Sequence, residues 1–391
     1  MNSFRIVTST NMPKALVIEK IEGKPGKVYY PLKNIEQPEP QPKDNQVVVK
    51  ITAAALNHRD LFIRQALYGA IGFGVPLLAD GCGVVVKTGS SSEAKKWQDK
   101  RVILNPGHGW KDDPDGPESS GGYAILGGTK LNPVGTAAEM VCIDASEIEE
   151  APKHLSSAEA AALPLAGLTA WRAVMTKSQN AKPGRNILVT GIGGGVAIMA
   201  LLYGVAAGAN VYVSSGSQEK IDKAKSLGAK GGVNYKEKGW EKTLLGMLPK
   251  DRKKLDAIID GAGGDVAEKG AKLLRVSFLD ALMTVATADP LSQDGGIISQ
   301  YGMTVSPKMN WVMPDVLKNI ELRGSTMGSR KEFADLVKFV NDRGLKPLVS
   351  RTVQGIDNLK DIDSLFEDMK NGTQLGKLVI ELSPDASKSK L

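Results

Sequence analysis

The chain has 391 residues, of which 42% are hydrophobic and 24% are charged, a composition typical of a globular protein of two or three domains. Its two cysteines exclude a disulfide-stapled scaffold and are too few for a four-cysteine zinc site. The net charge of +7 is modest for this length. No dense basic run alternates with aromatic residues, so we do not expect a nucleic-acid partner.

The sequence also lacks the signals of a membrane or exported protein. It contains no run of about 18 apolar residues, so no membrane span is expected. Residues 1–14 have neither the apolar core of a secretory signal nor the repeated arginines of a transit peptide. With two reduced cysteines, these features predict a cytoplasmic protein.

The N-terminal part of the chain consists of short predicted strands. A proline-rich connector separates the first two strands, and a short helix begins at Asn57. The strands are predicted at residues 15–18, 46–51, 76–86, 101–104 and 135–143. Residues 105–133 are rich in Gly, Pro and Asp and predict a long surface loop. Strands that precede any strand–helix alternation indicate a separate, mostly β domain.

Helices and regularly spaced strands follow. Ser156 to Glu159 has the form of a capping box before an apolar helix, and another helix is predicted over residues 168–176. The next strands are predicted near residues 187–190, 211–214, 232–234, 256–260, 296–301 and 320–324. Because helices separate most of them, this part predicts a doubly wound parallel sheet with right-handed crossovers.

The C-terminal part is too small for a domain of its own. It predicts a helix to about residue 342, a strand at 350–353, a helix at 361–369, a strand at 376–382 and a frayed end over 383–391. We therefore expect it to fold back onto the N-terminal β domain. The predicted fold is α/β, with a mostly β domain over residues 1–160 plus 325–391 and a doubly wound parallel sheet over residues 161–324.

A glycine-rich turn at residues 191–197, GIGGGVA, separates the first strand of the parallel sheet from an apolar helix. A pyrophosphate needs the free N–H groups of a helix start, and side chains at the turn would block its approach. The spacing is G-x-x-G-x-x-A, so a glycine loop without a ligand is the alternative. The strand–turn–helix–strand context favours a dinucleotide site. The candidate cofactor residues here are Gly191, Gly193, Gly194, Gly195 and Val196.

The end of the second strand bears on the choice of cofactor. NAD sites place a carboxylate there to hold the ribose 2′-OH, whereas this chain has Ser215 and Ser217, with Lys220 one helical turn later. Hydroxyls and a cation suit a 2′-phosphate, which predicts NADPH. The alternative is that the serines only cap a helix and that Lys220 is solvated. Tyr235, after the third strand, is a further candidate contact.

Several motifs together resemble the medium-chain dehydrogenase/reductase superfamily, in particular its zinc-independent, quinone-oxidoreductase-like branch. Besides residues 191–197, 215–220 and 234–235, these motifs are N-x-x-D at 57–60, R-x-G-x-Y at 64–68 with Ala66 in place of the glycine, and the stretches at 79–85, 163–170 and 324–330. The resemblance implies a GroES-like β domain and a Rossmann domain, with the active site between them. It also implies NADPH, a homodimer, and hydride transfer to a quinone or an activated C=C bond.

The resemblance also assigns residues to the site. Asn57 and Tyr68 would line the substrate pocket, with Arg64 as a further catalytic candidate, and Thr169 would lie near the nicotinamide. Gly261, Ser329 and Arg330 would join the cofactor site.

Zinc is not expected in this site. Zinc-dependent relatives carry Cys, His and Cys at or near the positions of Asn57, Ala79 and Ala166. Alanine supplies no ligand, and a catalytic zinc needs about three from the protein.

The favoured hypothesis is an NADPH-dependent reductase of quinones or α,β-unsaturated carbonyl compounds, small molecules whose oxygen becomes negative during hydride transfer. One alternative is a non-catalytic NADPH-binding protein with a regulatory or RNA-contacting role. The other is an alcohol or aldehyde dehydrogenase.

Overall fold

A computed structural model describes residues 12–275 and 295–383. The predictions made for residues 1–11 and 384–391 lie outside these ranges. Among the described residues, no helix combines the length and apolar character needed to cross a membrane.

Strands and helices alternate along most of the described chain. The strands are β1 Lys14–Ile18, β2 Leu32–Glu36, β3 Gln46–Ala55, β4 Asp80–Thr88, β5 Arg101–Leu104, β6 Gly107–His108, β7 Ala124–Ile125, β8 Met140–Asp144, β9 Ile148–Glu150, β10 Asn186–Val189, β11 Asn210–Ser215, β12 Gly231–Asn234, β13 Ala257–Asp260, β14 Gly263–Gly264, β15 Ile297–Gln300, β16 Ser306–Met309, β17 Glu321–Gly324, β18 Val349–Gln354 and β19 Lys377–Glu381. The α-helices are α1 His58–Arg64, α2 Ser92–Lys95, α3 Ser157–Ala161, α4 Pro164–Trp171, α5 Gly195–Ala206, α6 Gln218–Ser226, α7 Trp240–Met247, α8 Val266–Leu273, α9 Met313–Leu317, α10 Arg330–Arg343 and α11 Leu359–Asn371. A 3₁₀ turn covers Ala145–Glu147, and α4 continues into a π-helical turn over Arg172–Lys177.

A seven-stranded sheet forms the N-terminal domain and includes strands from the C-terminal part of the chain. Its order is β18-β19-β3-β4-β5-β9, and β8 also pairs with β3. β19 runs antiparallel to β3, with Val379 opposite Ala55. This pairing brings residues near 377 to the end of β3, just before Asn57.

A six-stranded parallel sheet forms the second domain, in the order β12-β11-β10-β13-β15-β17. All four residues of β10 are buried, as expected for a central strand covered on both faces. The strand order reverses beside β10, which is where a doubly wound sheet binds its ligand. The predicted α/β fold class, a GroES-like β domain with a Rossmann sheet, is confirmed.

A continuous apolar core joins the two sheets. Ala53 and Cys82 from the first sheet belong to the same buried cluster as Ile187 and Val189 from the second. Helices α3 and α4 lie between the sheets, and the predicted capping box begins α3, since Ser156 and Glu159 cap each other. The two domains therefore hold the cleft between them through packed side chains.

The long loop at residues 105–133 packs against the helices of the second domain. The Arg172 guanidinium lies 4.3 Å from the centre of the Trp110 ring and donates a 3.0 Å hydrogen bond to the Pro114 carbonyl. Within the loop, the Glu118 carboxylate accepts N–H groups from Lys111, Asp112 and Asp113, which lowers the pKa of Glu118 to about 2. The loop therefore has a defined shape of its own.

Candidate active site

A cleft of about 1200 Å³ lies between the two sheets. The carboxyl ends of the parallel strands open into it on one side, and α1 and α4 border it on the other. It brings together thirteen residues that the sequence analysis selected. On the α1 and α4 side these are Asn57, Tyr68 and Thr169.

The glycine-rich turn forms one wall of the cleft with Gly191, Gly193, Gly194, Gly195 and Val196. Gly191 has a φ of +61°, which an L side chain rarely adopts. A Cβ atom at Gly194 would meet no atom within 4 Å, so the turn faces open space. No side chain caps the start of α5 among the described residues. The first N–H groups of this helix and its dipole therefore suit a phosphate.

The end of β11 carries Ser215 and Ser217, which both line the cleft. The Ser217 hydroxyl accepts the Lys220 N–H at 3.4 Å and caps α6. The Ser215 hydroxyl accepts the Ser217 N–H at 3.2 Å. Both serines thus shape the turn that faces the cleft, the role that the sequence analysis kept as an alternative. Gly261, at the end of β13, also lines the cleft.

Two side chains from the end of β12 converge over Gly216. Because β12 pairs with β11 in parallel, with Asn234 opposite Ser215, the residues that follow both strands lie side by side. A Cβ atom at Gly216 would lie 3.0 Å from the Tyr235 hydroxyl and 3.2 Å from the Lys236 ammonium. Both side chains line the cleft. A hydroxyl and a cation therefore meet at the strand end where an NAD site carries a carboxylate.

Residues 372–376, which we call the crossing segment, run against the glycine-rich turn. Gly376 donates its N–H to the Gly193 carbonyl at 2.8 Å. The Lys220 ammonium donates to the carbonyls of Gly372 and Gln374 at 2.8 and 2.9 Å. Burial lowers the pKa of Lys220. Lys220 therefore lines the cleft and also fastens the crossing segment to α6.

Three buried polar side chains, the Asn57–Asp80–Lys377 cluster, lie where the two domains meet. The Lys377 ammonium donates to Asn57 Oδ1 at 2.6 Å and to Asp80 Oδ2 at 2.7 Å. The Asn57 amide donates to Asp80 Oδ2 at 2.9 Å, and Asp80 Oδ1 accepts the Leu165 N–H at 2.7 Å. Asp80 is fully buried and Lys377 is 4% exposed. Asp80 thus binds groups from α1, α4 and β19 at once.

A second polar group supports Asn57 from within α1. The Asn57 N–H donates to Asp60 Oδ2 at 2.8 Å, and Arg59 lies 3.3 Å from Asp60 Oδ1. Burial raises the pKa of Asp60 to about 6. The Arg59 guanidinium also lies 4.9 Å from the centre of the Tyr68 ring. The start of α1 and Tyr68 are thereby held in one arrangement at the cleft.

Arg64 differs from the expectation, because it does not line the cleft. Its guanidinium donates to the Tyr30 carbonyl at 3.0 Å and to Asp363 at 2.6 Å. It also lies over the rings of Tyr29 and Phe366, at 4.0 and 4.6 Å from their centres. These contacts turn Arg64 away from the cleft and join α1 to α11.

Ser329 and Arg330 are likewise not brought to the cleft. The Ser329 hydroxyl accepts the Glu332 N–H at 3.1 Å and caps α10. Arg330 donates to the Ile148 carbonyl at 3.0 Å and to Glu149 at 2.6 Å. Their motif therefore starts a helix and ties it to the N-terminal domain.

Lys236 and Lys377 are polar residues of the cleft that the sequence motifs do not indicate. Lys377 belongs to the predicted strand at 376–382, and its partner Asp80 is 297 positions away in sequence. Lys236 directly follows the selected Tyr235, so its position was the available signal. For Lys377, at the start of an apolar strand, the local sequence contains no such signal.

The residues that the structure describes contain no group of three His, Cys, Asp or Glu side chains placed to hold a metal ion. Ala79 and Ala166 are buried, Ala166 in the wall of the cleft, and neither side chain has a donor atom. For a nicotinamide dinucleotide, by contrast, the uncapped start of α5 and the open space at Gly194 provide a fitting cradle.

Comparison with protein families agrees with the two-domain architecture. Residues 43–153 match the family model of the alcohol dehydrogenase GroES-like domain. Residues 195–277 match that of zinc-binding dehydrogenases.

Two curated relatives match over most of the chain. A zinc-type alcohol dehydrogenase-like protein of Leptosphaeria maculans is 48% identical over 376 residues, which cover 95% of this chain and 100% of the relative. A protein of the same description from Schizosaccharomyces pombe is 32% identical and covers 86% of this chain and 91% of its own length.

A solved structure described as an NAD-dependent alcohol dehydrogenase superposes with a TM-score of 0.74. It is 28% identical and covers 95% of this chain and 100% of its own. With its cofactor cradle, its GroES-like domain and these relatives, the chain belongs to the medium-chain dehydrogenase/reductase superfamily, the oxidoreductases that act on small molecules with a nicotinamide cofactor.

Proposed function

We propose that this protein is a zinc-independent, NADPH-dependent reductase that transfers a hydride to a quinone or to an α,β-unsaturated carbonyl compound. The observation that carries the proposal is that two features border the same cleft. The uncapped start of α5 faces it on one side, and the Asn57–Asp80–Lys377 cluster borders it on the other. This arrangement supports a phosphate anchor and a polar contact for the substrate within one cavity.

The cofactor supplies the hydride, and the protein positions the reactants and stabilises charge. The turn at 191–197 holds the pyrophosphate through backbone N–H groups. Asn57 and Tyr68 contact the substrate, and Thr169 lies at the nicotinamide end. Because the reacting oxygen becomes negative, a polar wall on the substrate side lowers the barrier.

The surroundings of Gly216 support NADPH as the cofactor. The Tyr235 hydroxyl and the Lys236 ammonium converge there, and no carboxylate ends β11. A 2′-phosphate gains charge-assisted hydrogen bonds from such groups. The solved relative described as NAD-dependent gives no reason to expect NAD here, because the choice depends on these local residues.

The Asn57–Asp80–Lys377 cluster supports a reaction without zinc. By the resemblance, Asn57 stands where zinc-dependent relatives carry a cysteine ligand. Here its side-chain oxygen accepts a hydrogen bond from the Lys377 ammonium. A cation already bound at this side chain repels a divalent cation.

The test is a screen of purified protein for NADPH and NADH consumption with quinones, enones and aldehydes. We expect turnover of at least one quinone or enone, with NADPH preferred. Cofactor binding without any turnover would instead favour a non-catalytic NADPH-binding protein. Salt-dependent RNA retention would then identify the RNA-contacting version.

An alcohol or aldehyde dehydrogenase is the second candidate, because the relatives carry alcohol dehydrogenase names. It predicts a tightly bound zinc ion and oxidation of alcohols. Metal analysis of protein purified without chelators distinguishes the two. One zinc per chain, together with alcohol oxidation, would contradict the zinc-independent proposal.

Lys220→Ala is expected to weaken NADPH binding more than NADH binding, because a cation in the cleft beyond the end of β11 would pair with a 2′-phosphate. Loss of its hydrogen bonds to the crossing segment adds a smaller effect that both cofactors share. Fluorescence titration of each cofactor measures the two dissociation constants. An equal weakening of both would show that Lys220 only holds the crossing segment.

We also propose a homodimer that forms through β17. This strand ends the parallel sheet, and within the described ranges it pairs only with β15. Leu322 in β17 is 44% exposed, and Trp311, Met313 and Leu317 are exposed nearby in sequence. An open strand edge with apolar side chains is a ready site for pairing.

Leu322→Glu is therefore expected to shift the protein from dimer to monomer, because the charge would be buried against its partner. Light scattering after size-exclusion chromatography measures the mass. Leu131→Glu, at a residue of the 105–133 loop that is 66% exposed, is the matched control and leaves the mass unchanged. A monomeric parent protein would contradict the proposal.

A further inference from the structure

The position of Lys377 is unusual for a lysine. Its side chain leaves β19 and passes the start of α5, where a Cβ atom at Gly195 would lie 2.5 Å from Lys377 Cδ. Its ammonium ends at Asn57 and Asp80 and is almost wholly buried. Lysine is rarely buried to this degree unless its charge is paired. The residue thus spans the cleft from the phosphate cradle to the substrate side.

The hydrogen bonds of the cluster determine how many N–H donors of Lys377 remain for a bound molecule. An ammonium has three N–H donors, and Asn57 and Asp80 each accept one. Asp80 is in turn satisfied by Asn57 and by the Leu165 N–H. Asp80 balances the charge of Lys377, and the two acceptors fix the direction of the ammonium. Since Lys377 lines the cleft, its remaining N–H is available to a molecule bound there.

Both charged and neutral groups surround the Lys377 ammonium. The ionisable groups that face Lys377 are Asp80 on β4 and Asp60 and His58 on α1. Arg59 pairs with Asp60 at 3.3 Å. From α4 and α5 the neighbours are neutral, Ala166 and Gly195 among them. Asp80 and Asp60 therefore balance the positive charges of Lys377 and Arg59 in this part of the cleft.

We propose that the Lys377 ammonium, held by Asp80 and Asn57, is a catalytic residue that donates a hydrogen bond and then a proton to the substrate of the reductase. This inference rests on the proposed function. It gives the oxygen that becomes negative a positively charged partner within a largely desolvated site, where such contacts stabilise charge most.

For an enone, the proposed reaction is hydride addition followed by protonation. The β-carbon accepts a hydride, which forms a new C–H bond, the π electrons of the C=C bond form a double bond between the α-carbon and the carbonyl carbon, and the π electrons of the C=O bond move onto oxygen. Lys377 hydrogen-bonds to this oxygen and delivers its proton to the enolate. The neutral amine that remains takes a proton from water. The substrate gains two electrons and two hydrogens, and the nicotinamide cofactor loses the hydride.

The test compares Lys377→Met with the double variant Asp80→Asn/Lys377→Met and with Lys377→Arg. The double variant avoids an unpaired carboxylate, so it folds even where the single variant does not. We expect kcat to fall about 100- to 1,000-fold in both Met variants, as for the loss of one donor to a developing oxyanion. Lys377→Arg keeps a cationic donor and retains more activity than either Met variant.

Two further readouts separate catalysis from a structural or cofactor role. NADPH fluorescence titration gives the dissociation constant, which we expect to change less than threefold in the double variant. In Lys377→Ala, methylammonium is expected to restore part of kcat, whereas tetramethylammonium, which has no N–H, is not.

The outcomes are distinguishable. Turnover by the parent protein with an unchanged kcat in the double variant would overturn the role of Lys377 alone. If the dissociation constant of NADPH in the double variant rises as much as kcat/KM falls, the catalytic role of Lys377 is also overturned, since Lys377 would then bind the cofactor. If the parent protein binds NADPH but reduces no quinone or enone, the proposed function fails, and this inference fails with it.

Discussion

Replacing Asp80 by Ala is expected to lower the free energy of unfolding by about 3 to 5 kcal/mol, the usual cost of leaving a buried charge unpaired. The variant removes the acceptor of Lys377, of the Asn57 amide and of the Leu165 N–H. The N–H of Leu165 belongs to α4, so the join between the two domains loosens as well. Urea unfolding followed by circular dichroism measures the change.

The chain offers a matched control for this prediction. Lys14 and Asp357 form a pair with the same 2.7 Å separation as Lys377 and Asp80, but both side chains are exposed. Asp357→Ala is therefore expected to leave the unfolding midpoint almost unchanged. In Asp80→Asn/Lys377→Met, no charge stays unpaired, so most of the stability returns. Equal effects of Asp80→Ala and Asp357→Ala would contradict the importance of burial.

Replacing Lys236 by Ala is expected to raise the dissociation constant of NADPH about ten- to a hundredfold, the loss of one hydrogen bond to a charged group. The dissociation constant of NADH is expected to change little, because NADH has no 2′-phosphate. The expectation follows from the Lys236 ammonium beside Gly216. Paired fluorescence titrations at fixed ionic strength measure both constants.

Lys230→Ala is the control for this measurement. Lys230 immediately precedes β12, at the opposite end of the strand from Lys236. The Lys230→Ala substitution removes the same charge far from the strand ends that open into the cleft. The dissociation constants of NADPH and NADH should therefore stay as in the parent protein. If Lys230→Ala and Lys236→Ala weaken NADPH equally, only net charge matters and no 2′-phosphate contact exists at Lys236.

The sequence was most informative where the pattern is local. The six strands of the parallel sheet lie within about a residue of their predicted bounds. Short apolar runs mark the buried central strands β10 and β13. The glycines of the 191–195 turn also line the cleft. Their spacing follows from the backbone conformation of a tight turn, as the positive φ of Gly191 illustrates.

Local sequence patterns do not predict contacts between segments that are far apart in the chain. Lys377 reaches Asp80 because β19 returns to pair with β3, which no short motif encodes. Arg64 illustrates the opposite case. Its motif suggested the cleft, yet the rings of Tyr29 and Phe366 and the carboxylate of Asp363 hold it elsewhere. Motif membership places a residue on an element, whereas tertiary partners decide where its side chain lies.

The crossing segment has a consequence for the order in which the protein becomes functional during synthesis. The glycine-rich turn leaves the ribosome long before residues 372–376, which donate to Gly193 and accept from Lys220. Lys377 follows directly. A nascent chain that has completed the parallel sheet still lacks one side of its cofactor cradle. Tight cofactor binding thus becomes possible only once the last strands have been made, and it reports that both domains are in place.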